Sequence, residues 1–334
     1  MTKNKNLRKE IITLIRGYFL TPVIATLAKK NFLKKNKSKF LNVKSHSEKI
    51  FINYLKNLGY ITQTKNKYLI SKSGKKLFLR SGSFNIVNSY RDYILNLDKI
   101  LDNPKILDKI DCDRKENILG SGSTNYRKFF KPALNLLKDN DFDIIHDLGC
   151  GDGNFLKKVK LQFKDKKFSG SDLSKIAVRE TKKNLNFKNL KLIQSDAMNV
   201  KKWTNFLLKE YDTKNQKLLI TIWFIVHEIS KKDVFRIIDF FKAINKRLPN
   251  AKILLGEIVE PDKKLLKENI YNTIMPEYIF FHQLSGQGIF TLKELKFILN
   301  EIPFKCTKRI NVDSIKFRNK ENPSGIVWML EPKN

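Results

Sequence analysis

The sequence predicts an α/β protein: a seven-stranded, mostly parallel sheet with helices on both faces, preceded by a smaller and mainly helical domain. Two observations carry that expectation. After Asp141, short apolar runs alternate with amphipathic stretches, the pattern of parallel strands joined by crossover helices. Before it, apolar residues recur at helical spacing and only one short pair of strand-like runs intervenes. With 334 residues, 41% hydrophobic and 11% aromatic, the chain can bury the cores of two domains and is too apolar for a disordered polycation. The expected divisions are residues 1–82, a helical connector over 83–140, and an α/β domain over 141–334.

Residues 1–9 are polar and read as frayed, and residues 11–28 as one or two packed helices. Arg16, Gly17 and Pro22 interrupt this stretch too often for a bilayer helix of about 20 apolar residues. From Ser47 the order is a helix (Ile50, Phe51, Tyr54, Leu55, Leu58), a stop at Gly59, a strand at 60–62, a turn at Lys65-Asn66-Lys67, a strand at 68–70 and a new helix opening at 71–73. This order resembles a winged helix, with the hairpin as the wing. Helical character returns at 84–109 and at 125–137, the latter behind Gly120-Ser121-Gly122-Ser123, which reads as flexible. Strands are expected at 144–148, 168–172, 190–194, 218–224, 252–257, 304–310 and 326–331. Helices are expected between them, notably at 155–163, 175–185, 232–248 and 292–301.

Lys and Arg total 66 against 33 Asp and Glu, a formal charge of +33 that first suggests nucleic acid. Only 11 of the 66 are Arg, whereas groove and phosphate recognition favours the planar Arg fork. The excess of Lys, together with abundant Asn, reads as a compositional bias toward A- and T-rich codons. Residues 1–80 nevertheless carry 20 basic and 2 acidic side chains. The would-be recognition helix has only Lys49 and Lys56, too sparse for base readout, so neither nucleic acid nor membrane is expected as a partner. Three widely spaced cysteines, Cys112, Cys150 and Cys306, argue against a disulfide framework and for a reducing cytoplasm.

The sharpest motif is Asp147-Leu148-Gly149-Cys150-Gly151-Asp152-Gly153, where a strand ends and a helix begins. Glycines there allow a sharp turn and a ligand against the backbone. The next strand ends at Asp172, placed to accept ribose hydroxyls, and the third is followed by Ser195-Asp196-Ala197-Met198. Asp152 reads as a helix N-cap. The spacing is GxGxG behind an acid, suited to a ligand with an ammonium rather than to a pyrophosphate. This set resembles the class I S-adenosylmethionine-dependent methyltransferases over residues 143–331, and the resemblance implies a Rossmann-like sheet. It also implies that Gly149, Gly151 and Gly153 shape the methionine pocket, Asp147 meets the amino group, Asp172 with Leu173 holds the ribose, and Asp196 and Ala197 frame adenine. Trp223 completes the expected cofactor set.

The fourth strand of this domain runs through Trp223 into His227-Glu228 and lacks the Asn/Asp-Pro-Pro-aromatic motif of many N-methyltransferases. A strand ending in His-acid resembles the small-molecule O-methyltransferases with an N-terminal winged-helix-like dimerisation domain, implying a homodimer and His227 as general base. His146 lies within a strand and reads as core, and His46 as solvated. His282, with the aromatic run Tyr278-Ile279-Phe280-Phe281 before it, falls where such enzymes wall the substrate. His227, Glu228 and His282 together are the ligand types of a facial triad for a divalent or ferric ion. That set resembles the 2-oxo-acid C-methyltransferases of the 2-ketoarginine and phenylpyruvate type. It implies carbon methylation of a 2-oxo acid through a metal-bound enolate, with Arg127 anchoring the carboxylate and Phe281 against the substrate. The alternative is O-methylation with His227 as base, Glu228 orienting it and no metal. A nucleic-acid methyltransferase is the third reading.

Overall fold

In the computed structural model, residues 2–30, 32, 41–65, 67–231, 233–268, 273–312, 315–317 and 320–333 are described. The chain divides into two compact units, residues 1–97 with 112–124, and residues 98–111 with 125–334, so the expected connector is shared between them.

The first unit opens with α1 (Thr2–Lys29), a single helix that continues through Pro22. This is the single-helix form of the expected one or two helices, and the start expected to be frayed is helical from Thr2. Leu7–Lys29 is therefore long and apolar enough to cross a membrane by composition alone. Its inner face, Leu20, Ile24 and Leu27, packs instead against α2 (His46–Asn57) and Ile61 in the core of this unit. Ser45 and Glu48 close a capping box on α2. The wing is the hairpin β1 (Ile61–Thr64) and β2 (Lys67–Ile70), followed by α3 (Lys72–Phe78). Asn66 of the expected turn lies outside the described residues.

Next come α4 (Ser81–Ser89), α5 (Arg91–Ile94), α6 (Leu97–Asp102), a 3-10 turn Pro104–Lys109 and α7 (Arg114–Thr124). The Gly120-Ser121-Gly122-Ser123 segment, expected to be flexible, lies inside α7. A Cβ on Gly120 would stand 2.7 Å from the Gly82 carbonyl oxygen and from Ile86, so glycine here lets α4 and α7 approach closely. Glu116 of α7 is buried and satisfied by Asn88, Arg91 and Lys29 at 2.6 to 3.1 Å. Gly120→Ala is expected to destabilise the unit by about 1–3 kcal/mol, read as a lowered melting temperature. An unchanged melting temperature would show that the two helices can separate at no cost.

The second unit includes a π-helical turn, Tyr126–Phe130, and α8 (Lys131–Lys138). Its sheet contains β3 (Ile144–Leu148), β4 (Lys167–Asp172), β5 (Leu190–Gln194), β6 (Leu218–Trp223), β7 (Lys252–Ile258), β8 (Phe304–Val312) and, after the small hairpin β9 (Ile315–Phe317) and β10 (Lys320–Asn322), β11 (Gly325–Pro332). The spatial order is β5-β4-β3-β6-β7-β11-β8, parallel except that β11 is antiparallel to both neighbours. All seven expected strands are therefore present, and the sheet order reverses at β3.

The central strands β3, β6, β7 and β11 feed two cores by alternation. Ile144, Leu148, Ile220, Ile222, Ile253, Leu255, Ile326 and Trp328 pack with α11 (Val200–Glu210), α13 (Val234–Arg247) and α16 (Leu292–Glu301). Ile145, Leu219, Leu254, Val327 and Met329 pack with α8 and α9 (Asn154–Gln162) on the other face. Burial on both faces explains why β6 reads as a nearly continuous apolar run. His146 belongs to this core as expected. It is fully buried, held by Ser169 and Ser171 at 2.8 and 3.0 Å and stacked on Trp203, and burial lowers its pKa to about 3.

Candidate functional site

The carboxyl ends of β3, β4 and β5 are neighbours, and each delivers an acid. Between β3 and α9 the chain turns through Gly149, Gly151 and Gly153, all with φ between +56° and +76°. At Gly149 a Cβ would also meet Ile225 at 2.2 Å, so side chains are excluded by both conformation and space. Asp172 fastens the loop: one carboxylate oxygen accepts from the Gly151 amide (3.0 Å), the other from the Ser174 amide (2.8 Å), ahead of α10 (Lys175–Asn184). Leu173 beside it is exposed. Asp196 accepts from the Met198 amide at 2.8 Å, and the Ala197 carbonyl accepts from the Trp203 indole at 2.9 Å. Asp152 accepts from the Asn154 amide but lies one residue before the N-cap, which is Gly153.

Asp147 is buried and accepts a 2.6 Å hydrogen bond from Thr221. Burial raises its pKa, the Thr221 bond works against the rise, and the charges of Asp172 and Asp152 add to it, leaving the carboxyl at about 7. Trp223 sits in the apolar core with Phe130 and Phe155 at ring separations of 5.0 and 4.7 Å, pressed on Gly256, where a Cβ would lie 2.0 Å from its ring. Its indole N–H is buried without a partner.

Beyond β6, Phe224 adopts φ +57°, a strained conformation for a bulky residue, with its amide bonded to the Gly256 carbonyl. That bend leads into α12 (Val226–Ser230), which carries His227. His227 is 3% exposed, and its Nδ1 lies 2.6 Å from Oε1 of Glu257, itself fully buried on β7. The Nδ1 proton is thereby committed to the carboxylate, leaving Nε2 as the basic nitrogen. Burial pulls the His227 pKa down, but the charge and hydrogen bond of Glu257, with the charge of Glu228, outweigh it and hold the imidazole above its ordinary value.

The acid that orients His227 is therefore Glu257 and not the expected Glu228, whose residue is exposed. The signal for Glu257 was present: a carboxylate inside the apolar run Ile253-Leu254-Leu255-Gly256-Glu257-Ile258 is costly to bury without a partner. His282, on α15 (Met275–Leu284), faces His227 edge-on at 4.8 Å between ring centroids. Its Nδ1 lies 2.6 Å from the Tyr278 carbonyl, and burial, helped by the nearby His227 charge and only partly opposed by that bond, lowers its pKa to about 3. Phe281 next to it is buried. The structure thus brings His227 and His282 together, while Glu228, next to His227 in the chain, is exposed. Among the described residues, no three His, Cys, Asp or Glu side chains form a group that could hold a metal ion. The Arg127 side chain lies outside the described residues.

Comparison with known proteins matches the fold. Residues 16–103 match the AprA winged helix domain. Across nearly its whole length the chain is similar to three solved structures: the mitomycin 7-O-methyltransferase MmcR (TM-score 0.61, 10% identity, covering 99% of this chain and 100% of that one), human N-acetylserotonin methyltransferase in complex with SAM (0.63, 11%, 98% of each), and PigF with SAH (0.62, 10%, 97% and 98%). The fold is that of the class I methyltransferases. No curated protein matches the chain in sequence.

Proposed function

We propose that this protein is an S-adenosylmethionine-dependent methyltransferase acting on a hydroxyl of a small molecule, with His227 as general base and Glu257 as the residue that orients it. The observation that carries the reading is the buried 2.6 Å His227–Glu257 pair. It lies just beyond the carboxyl end of β6, the neighbour of the strand that leads into the glycine loop. The residues present fit the cofactor. The glycine loop turns at positive φ beside Asp172, whose carboxylate can accept from ribose hydroxyls, and Asp147 is a carboxyl that an ammonium would hold ionised. S-adenosylmethionine supplies an electrophilic methyl group when bound.

His227 Nε2 would take the proton of the acceptor hydroxyl, freeing an oxygen lone pair for the methyl group that S-adenosylmethionine would supply. The imidazolium is stabilised by the Glu257 carboxylate at Nδ1. Exclusion of water follows from the burial of both partners. The test is transfer of labelled methyl to hydroxyl-bearing small molecules. A protein that binds S-adenosylmethionine yet labels none of them would sink the proposal.

Carbon methylation of a 2-oxo acid is supported less. It requires His227, Glu228 and His282 around one ion, and the exposed Glu228 does not join the two imidazoles. A nucleic-acid substrate also lacks support, since α2 carries Lys49 and Lys56 as its cations. The free cysteines suit a reducing cytoplasm.

The partner suggested by the surface is a second copy of the chain. Leu7, Ile11, Leu14, Ile15, Tyr18 and Phe19 of α1 are exposed together on one side of the helix, a stripe that water does not favour. Leu14→Glu combined with Tyr18→Glu is expected to convert a dimer into a monomer in light scattering. An unchanged mass would show that this face is not the interface.

A further inference from the structure

Two consecutive rings of the π-helical turn meet two consecutive rings at the end of β6. The turn is closed by the Phe129 and Phe130 amides, which both donate to the Asn125 carbonyl, at 2.9 and 3.2 Å. Such turns are rare and occur mostly at functional sites. Here Phe130 lies against Trp223, the last residue of β6, at 5.0 Å between ring centroids. Phe129 meets Phe224 edge-on at 4.7 Å, and all four residues are buried. Gly325 of β11 makes room for this contact, since a Cβ there would stand 2.5 Å from the tip of the Phe129 ring.

Phe224 is the residue with φ +57°, and a bulky side chain keeps such a backbone only where its surroundings enforce it. The enforcing groups are the Phe129 ring and the Gly256 carbonyl, which accepts from the Phe224 amide at 2.9 Å. Three residues on, the His227 backbone amide and Nδ1 lie 3.3 and 2.6 Å from the two oxygens of Glu257, the residue after Gly256. Bend and base are thus moored to adjacent residues of β7. Without the bend, the register that sets Trp223 opposite Gly256 would set His227 opposite Glu260, about 10 Å along the strand from Glu257.

We infer that Phe129 and Phe224 are positioning residues for the base: the ring offered by the π-helical turn clamps the left-handed bend that keeps His227 against Glu257. This rests on the reading of His227 as the base of methyl transfer.

The experiment compares full-length wild type, Phe129→Leu and Phe224→Gly, each loaded with S-adenosylhomocysteine, by the downfield proton resonance of the His227–Glu257 hydrogen bond. Its absence in His227→Ala assigns it. Phe129→Leu keeps an apolar side chain without the ring edge, and Phe224→Gly removes the ring while leaving the left-handed backbone unstrained. In both variants the resonance should move upfield or broaden away, and kcat in the labelled-methyl assay should fall at least about tenfold, as misplacement of a reacting group implies. S-adenosylhomocysteine should still bind, showing that they fold. A resonance at its wild-type position in both, or a kcat within threefold of wild type in both, would overturn the assignment. So would loss of S-adenosylhomocysteine binding in both, since the rings would then support the whole unit and not the base. Failure of the base reading shows separately, as methyl transfer that survives His227→Ala while the resonance, measured without turnover, still responds to the two variants.

Discussion

His227→Ala is expected to lower kcat by roughly a hundred- to ten-thousand-fold, the range for removing a positioned general base, with S-adenosylmethionine affinity unchanged. The separation follows from geometry, since His227 belongs to α12 whereas the glycine loop proposed for the cofactor follows β3 and is tied to Asp172 at the end of β4. Glu257→Gln is the sharper test of how the base works. The amide oxygen still accepts the Nδ1 proton, but the negative charge that offsets the cost of burying an imidazolium is gone. In wild type the raised pKa means that activity rises with pH through a value above 6.5, because only the neutral imidazole can take a proton. In Glu257→Gln that limb moves to lower pH while the plateau falls by about tenfold or more, since the imidazolium formed in the transition state is less stabilised. Two results would dismiss the pair as merely structural: His227→Ala within threefold of wild type, or a limb that stays in place in Glu257→Gln.

The reason Glu228 looked like the partner of His227 is proximity in the chain, and the reason it is not is helical geometry. Consecutive residues on a helix point about 100° apart, so the pair on α12 cannot both face the same interior. Glu257 lies 30 residues away on the neighbouring strand β7, and only the pairing of β6 with β7 brings it under His227. The acids proposed for the cofactor were legible because each lies at or just beside the carboxyl end of a strand, and parallel strands in one sheet place those ends on one edge whatever the loops between them do. Packing that composition does not reveal explains the Gly120-Ser121-Gly122-Ser123 segment. Its composition suggests a linker, yet the close approach of α4 and α7 requires a glycine there and supplies the contacts that keep the segment helical.

Asp147→Asn is expected to weaken S-adenosylmethionine by about a hundredfold or more and to remove the pH dependence of its binding. Asp147 is an acid whose pKa in the folded, ligand-free protein is raised to about 7, against an ordinary value of 3.8. The folded state therefore holds a proton that the unfolded chain has released, and the stability this provides is full below pH 3.8 and lost as pH rises through about 7. A ligand ammonium reverses the preference, because it stabilises the carboxylate and not the acid. Binding below pH 7 must then expel a proton, and affinity should rise by up to about tenfold per pH unit until it levels off above pH 7. Calorimetry at pH 6, 7 and 8 in buffers of different ionisation heat would show one proton released at pH 6 and almost none at pH 8. The side-chain amide oxygen introduced by Asp147→Asn can accept the Thr221 hydroxyl bond as the carboxylate does, so the core around β3 and β6 should survive the change. In the ligand-free variant the melting temperature should no longer fall on account of this residue as pH rises toward 7. A variant that binds S-adenosylmethionine as tightly as wild type, with the same pH slope, would mean that the ammonium is held elsewhere and that Asp147 serves only to brace Thr221 across the sheet.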